Sequence, residues 1–141
     1  MNIQNSNKQG KTTSLGNFSV KSEVIDLETA GAVKSDKKLN LVKIFGTIDL
    51  LTASEFQSYI LKEIEKGEVY FGIDLSNLEF IDSMGISTII MLFQKINEIG
   101  GRLILIKPRP SIMVVLKITR IHERINVFDD IEQAITSFKN Y

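Results

Sequence analysis

Apolar and polar residues alternate along residues 18–24, and this period of two is typical of a half-buried strand near a sheet edge. A second strand is predicted over residues 39–45, where Gly46 would end it. Thr52 or Ser54 would cap the helix that follows, in which apolar residues recur every four positions. The first part of the chain therefore predicts two strands and a helix.

The rest of the chain alternates between short apolar runs and segments with a helical repeat. The apolar runs at residues 69–75, 103–106 and 125–128 are short enough to be strands, and the first two suit strands covered on both faces. An apolar stripe predicts a long helix over residues 84–99. Pro110 is placed to start the next helix, and a last helix follows the final strand.

The order of the predicted elements is β-β-α-β-α-β-α-β-α. Strands that alternate with helices indicate an α/β domain with a mostly parallel sheet and right-handed connections. We expect four to five strands packed with about four helices. Residues 1–16 are polar and predict a flexible tail, so the single domain would cover residues 17–141. A loop is predicted over residues 29–40, which hold a glycine and several charges.

Composition excludes several kinds of site and of protein. The chain of 141 residues has no cysteine, which excludes disulfides and cysteine-ligated metals. Its formal net charge is zero, which argues against a dedicated nucleic-acid binder. The polar start lacks the apolar core of a signal peptide, and no apolar run is long enough to cross a bilayer. We therefore expect a cytoplasmic protein that does not enter a membrane.

Charge is unevenly distributed along the chain. The stretch from residue 102 to residue 124 contains six basic residues and one acidic residue, Glu123, whereas the stretch from residue 63 to residue 82 is mostly acidic. This distribution has two interpretations. The two stretches could simply form solvated surfaces, or they could form a charged face that complements a partner protein. The basic residues are Arg102, Lys107, Arg109, Lys117, Arg120 and Arg124.

The sequence offers no convergent set of catalytic groups. His122 is the only histidine, and its polar surroundings predict an exposed surface residue. Motifs for histidine metal pairs, acyl nucleophiles and phosphate-binding glycine loops are missing. Asp74 and Asp82 are better explained as the end of a strand and the start of a helix than as paired carboxylates. The sequence predicts a binding module rather than an enzyme, with no catalytic residue, metal site or cofactor.

Ser83 is the most informative candidate. The strand at 69–75 is followed by a predicted short turn, and a helix would begin at Asp82-Ser83. Helix capping explains such residues on its own. A second interpretation is an exposed hydroxyl that a kinase can reach, where a phosphate would add roughly 1.5 to 2 negative charges. Sites in open α/β sheets gather at the carboxyl ends of strands, so Asp49 and Ser83 should lie near one another.

Four segments together resemble the STAS domain, the family of bacterial anti-sigma factor antagonists. The resemblance covers about residues 18–140, and the Asp-Ser-x-Gly element before a helix is its most specific part. The segments are Gly46-Thr47-Ile48-Asp49, Asp74-Leu75-Ser76, Phe80-Ile81-Asp82-Ser83-Met84-Gly85-Ile86 and Gly100-Gly101.

The resemblance implies a partner-switching protein. In that family the unphosphorylated antagonist binds an anti-sigma factor that is a serine kinase of the GHKL type, which releases a sigma factor. The kinase inactivates the antagonist by phosphorylation, and a PP2C-type phosphatase reverses this. By motif position, Ser83 would be the phosphoacceptor, and Asp49, Asp82, Met84 and Gly85 would frame the partner-binding surface. ATP belongs to the kinase, so the antagonist itself needs no cofactor.

The chain departs from the family pattern in three respects, one of which is that the polar N-terminal tail and the loop over residues 29–40 exceed a minimal antagonist. Met84 stands where many antagonists have serine, and Thr119-Arg120-Ile121 stands where the family often has Ser-Gly-Leu. One alternative is a STAS scaffold subunit that is not phosphorylated, in a lipid-transport ABC complex or a signalling assembly. A small enzyme or ligand sensor at the same sheet edge is disfavoured, because no convergent groups support it.

Overall fold

The computed structural model describes residues 5–12, 17–31 and 37–140. Within them, five strands and four α-helices follow one another in the predicted order, preceded by one further strand. The strands are β1 (Asn5–Thr12), β2 (Phe18–Asp26), β3 (Lys38–Ile48), β4 (Tyr70–Ile81), β5 (Arg102–Ile106) and β6 (Val127–Phe128). The helices are α1 (Ala53–Glu65), α2 (Ser83–Glu98), α3 (Pro110–Ile118) and α4 (Ile131–Thr136), with 3₁₀ turns at Ile121–Glu123 and Ser137–Asn140.

The described strands form one sheet whose spatial order follows the chain from β1 to β6. The pairs β1–β2 and β2–β3 are antiparallel. The pairs β3–β4, β4–β5 and β5–β6 are parallel, as expected for strands joined by helices. The predicted α/β class with a mostly parallel sheet is therefore confirmed, and β2 to β6 are the five strands that the sequence indicates.

Strand β1 is the sixth, and it lies in the segment for which the sequence predicts a flexible tail. It pairs with β2 from Asn5 opposite Ile25 to Thr12 opposite Ser19. A polar edge strand is held by hydrogen bonds between main chains, so it leaves no apolar pattern in the sequence. Residues 1–4 and 13–16 lie outside the described residues, and the domain boundary at residue 17 stays a prediction.

The sheet separates two apolar cores. One core lies between the sheet and helices α1, α2 and α3, and the other lies between the sheet and α4. Strand β5 shows the alternation, because Leu103 and Leu105 face the first core whereas Ile104 and Ile106 face the second. The largest side chains with almost no exposure are Phe18, Phe56, Phe71 and Phe138, each worth about 1.5–3 kcal/mol of burial.

Strands β3 and β4 extend further than the sequence predicts. Gly46 does not end β3, and residues 76–81 continue β4 instead of forming a turn. Between Lys43 and Phe45 of β3, the paired residues of β4 advance from Asp74 to Asn77, so β4 carries an extra residue there. Such a bulge lets a strand continue through polar residues that suggest a turn. The longer strands carry the residues around Ser83 to the edge of the sheet.

Candidate functional site

Helix α2 begins at Ser83, as the sequence predicts, and Asp82 is its N-cap. The backbone of Asp82 is extended, and its Oδ1 accepts a hydrogen bond of 3.0 Å from the amide of Gly85. This bond satisfies one of the amides that a helix start leaves without a partner in the helix. The fold therefore uses the aspartate, and not the serine, to cap this helix.

Asp82 also joins two parts of the chain. Its Oδ2 accepts a hydrogen bond of 3.1 Å from the amide of Leu50, in the loop between β3 and α1. Its own amide donates to the carbonyl of Ile48 at 3.2 Å. These two bonds bring the Asp49 loop against the first turn of α2, which agrees with the expectation that the loop lies near Ser83.

Gly85 is required by the close approach of these segments. A Cβ at position 85 would lie 2.5 Å from the carbonyl oxygen of Ile48 and 2.6 Å from Cγ1 of Ile81. Gly85 is buried, so it supports the surface from beneath. Its place in the motif is thus explained by packing between the first turn of α2 and the end of β3.

Asp49 shapes its own loop. Its Oδ1 accepts hydrogen bonds from the amides of Leu51 at 2.9 Å and Thr52 at 3.2 Å. The buried Thr52 hydroxyl donates to the carbonyl of Thr47 at 2.8 Å and accepts from the amide of Asp49 at 2.9 Å. Thr52 precedes α1 as its N-cap but makes no capping bond, because its hydroxyl serves the loop instead. These turn contacts hold the loop in one shape.

Four large apolar side chains are exposed on the segments that meet at this junction. Leu50 is 70% exposed, Leu51 55%, Phe80 53% and Met84 44%. Ser83 is exposed as well, and among the described residues no hydrogen bond uses its hydroxyl. We call Leu50, Leu51, Phe80, Ser83 and Met84 the Ser83 surface. Large apolar groups gathered in this way mark interaction sites more often than single exposed ones do.

Sequence reasoning found only two of these five residues, Ser83 and Met84. Leu50 and Leu51 could have been noticed as two apolar residues inside a polar turn. Phe80 was hidden because the sequence suggested a turn at the place where β4 continues. Its exposure depends on the register of β4, which only the pairing with β3 determines.

The remaining candidates do not form a second site. The carboxylate of Asp74 accepts hydrogen bonds from the hydroxyl of Ser76 at 2.7 Å and its amide at 2.9 Å. It therefore shares no partner with Asp82, whose bonds go to Leu50 and Gly85. His122 is exposed, as predicted, and its Nδ1 lies 3.3 Å from the carbonyl of Leu116.

A family model described as STAS domain matches residues 25–134, which is more than half of the chain. The chain belongs to the STAS domain family. The matched range includes both Asp82 and the Asp49 loop. Within the part of this domain that the structure describes, no helix is both long and apolar enough to span a membrane.

Relatives of this STAS domain include a protein of Bordetella bronchiseptica named "Putative anti-sigma factor antagonist BtrV". The two are 23% identical over 94 residues, which is 67% of this chain and 81% of the relative.

Two solved structures show the same fold. An anti-sigma factor antagonist from Mycobacterium paratuberculosis has a TM-score of 0.67 at 20% identity, over 86% of this chain and 95% of that one. The Bacillus cell fate determinant SpoIIAA in its phosphorylated form has a TM-score of 0.55 at 21% identity, over 70% of this chain and 89% of that one.

Proposed function

We propose that this STAS domain is an anti-sigma factor antagonist whose partner binding is controlled by phosphorylation of Ser83. The partner would be an anti-sigma factor that is also a serine kinase of the GHKL type, and binding it would release a sigma factor. A PP2C-type phosphatase would restore the unphosphorylated form. The observation that carries the proposal is the exposed Ser83 hydroxyl at the start of α2, at a junction whose segments expose four large apolar side chains.

The unmodified Ser83 surface suits burial against a protein. Leu50, Leu51, Phe80 and Met84 offer apolar area, and a serine hydroxyl is a small neutral group among them. Covering such area is favourable at about 25 cal/mol per Å² before the costs of association. The carboxylates of Asp82 and Asp49 already accept hydrogen bonds within the protein, which compensates part of the cost of removing them from water at an interface.

A phosphate on Ser83 would reverse this balance. Asp82 already accepts from the amide of Gly85, so the phosphate would gain only part of the stabilisation that a helix start offers. The Asp82 carboxylate next to it would repel the new charge. Burying a charge without a compensating partner costs several kcal/mol, and each 1.4 kcal/mol weakens binding about tenfold. Phosphorylation would therefore dissociate the partner without unfolding the antagonist.

To test this, the protein is incubated with ATP and with the GHKL-type kinase of the same organism. Mass spectrometry then measures the intact mass of the antagonist. Wild type should gain one phosphate, and Ser83→Ala should gain none. Ser87→Ala is the matched control, because Ser87 is an exposed serine one turn further along α2. Stoichiometric phosphorylation of Ser83→Ala would show that the acceptor lies elsewhere.

A binding measurement separates the antagonist from the scaffold alternative. Under the proposal, Ser83→Asp keeps its melting temperature and loses the anti-sigma partner in a pull-down. A scaffold subunit would instead retain ATPase or permease subunits whether residue 83 is Ser or Asp. That second result would refute control through Ser83.

A further inference from the structure

Helix α3 is more apolar than its position explains. Its nine residues, Pro110 to Ile118, include only Ser111 and Lys117 as polar residues. Ile112 and Leu116 are buried against the sheet, and Met113 and Val115 pack partly against the same core. A helix on a protein surface normally keeps one apolar stripe and a polar outer face, and a helix that is apolar on all sides is normally covered on all sides.

The outer face of α3 exposes two large aliphatic residues. Val114 is 55% exposed and Ile118 is 76% exposed, the largest exposure among the described large apolar residues. Residues three and four apart lie side by side on a helix, so Val114, Lys117 and Ile118 form one exposed patch. This patch shares no residue with the Ser83 surface and belongs to the helix that follows β5.

Strained backbone brackets the same helix. Among the described residues, the non-glycine residues with positive φ are Lys107 at 55° and Arg120 at 61°, one before α3 and one after it. The chain uses glycine at its other positive-φ positions, such as Gly46 and Gly100. A side chain at positive φ is costly, and such strain is concentrated at functional sites. Arg120 therefore stands at a position where glycine would suit the backbone better.

Charge identifies the kind of partner. Lys117, Arg120 and Arg124 are exposed at the end of α3 and just beyond it, and Glu123 is the acid among them. A second copy that docked symmetrically on this face would place basic residues against basic residues. A membrane or nucleic acid is disfavoured because the chain has a formal net charge of zero. Carboxylates match arginine well, since both groups can form paired hydrogen bonds.

We propose that Val114, Lys117, Ile118, Arg120 and Arg124 form a second docking surface, the α3 surface, which binds an acidic amphipathic helix of a partner protein. The partner helix would place its apolar stripe on Val114 and Ile118, and its carboxylates on the three cations. This surface acts independently of Ser83.

The test uses a fluorescent peptide of roughly 18 residues, long enough to form a helix, with leucines every three or four positions and glutamates beside them. Fluorescence anisotropy measures its binding to the full chain at low and high salt. Wild type should bind, and Ile118→Ser should weaken binding at least tenfold. Ile99→Ser is the matched control, because Ile99 is an isoleucine 42% exposed at the end of α2. Ser83→Ala should bind like wild type.

Arg120→Gly separates a binding role from a structural one. Glycine removes the strain at φ 61°, so the melting temperature should hold or rise, yet peptide binding should weaken severalfold. Three results would overturn the proposal: no binding of the peptide, equal binding of a peptide with lysine in place of glutamate, or equal binding by Ile118→Ser. Binding of phosphatidylglycerol vesicles without binding of the peptide would also overturn it, in favour of a membrane surface.

Discussion

Replacing Gly85 by alanine tests how tightly the start of α2 is packed against the end of β3. The new Cβ would lie 2.5 Å from the carbonyl oxygen of Ile48 and 2.6 Å from Cγ1 of Ile81, whereas ordinary contacts begin at 3.4 Å. The oxygen is main chain and cannot turn away. The first turn of α2 must therefore move outward by nearly 1 Å, as a rough estimate from contact distances.

Two opposing effects set the size of the change. Alanine favours a helix over glycine by about 0.8–1.0 kcal/mol. Overpacking costs about 1–3 kcal/mol of stability. The outward movement also lengthens two hydrogen bonds, from the Asp82 amide to the Ile48 carbonyl and from the Leu50 amide to the Asp82 carboxylate. Each of these bonds is worth about 0.5–1.5 kcal/mol. We expect a net loss of about 1–3 kcal/mol, or roughly 4–12 °C in melting temperature for a domain of this size.

Urea denaturation and thermal melting measure this loss. Ser87→Ala is the matched control, because it introduces alanine at an exposed position of the same helix and should raise stability by about 0.5 kcal/mol. The amide resonance of Leu50 reports the contact directly and should shift only in Gly85→Ala. A Gly85→Ala protein as stable as wild type would refute the packing argument.

Three further changes test other contacts. Asp82→Ala removes the helix cap and the bond to Leu50, so urea denaturation should show a loss of about 1–3 kcal/mol, whereas Asp82→Asn should lose less. Phe80→Ser, at a side chain 53% exposed, should leave the melting temperature within about 2 °C but weaken binding of the proposed anti-sigma partner about tenfold by calorimetry. Burial raises the pKa of Tyr59, whose hydroxyl forms a hydrogen bond with the Ser22 hydroxyl. The folded protein therefore favours the neutral phenol, and this contribution to stability is present below pH 10 and is lost as the pH rises above 10 and the phenol ionises. Alkaline unfolding followed by circular dichroism should therefore be less steep in Tyr59→Phe.

The sequence predicts those parts of the fold that depend on local patterns. The start of α2 follows from Asp82-Ser83 because a cap is formed by residues close in sequence. The buried strands β4 and β5 follow from their apolar runs, since a strand covered on both faces needs apolar residues throughout.

Features that depend on pairing between distant segments escape such patterns. Strand β1 is polar and is held to β2 by its main chain, so its composition resembles a tail. The continuation of β4 beyond Leu75 requires bulges opposite β3. The exposure of Phe80 follows from that continuation, so Ser83 and Met84 are predictable from local patterns whereas Phe80 is not.

The division of tasks between Asp82 and Ser83 explains how a switch could work at this position. In many helices the serine at the start caps the helix, so a modification there removes a bond on which the fold depends. Here Asp82 provides the cap and the tie to Leu50. Among the described residues, the Ser83 hydroxyl takes part in no hydrogen bond and faces solvent. A phosphate on Ser83 would therefore alter the charge that a partner meets, while every bond that holds α2 against the Asp49 loop remains in place.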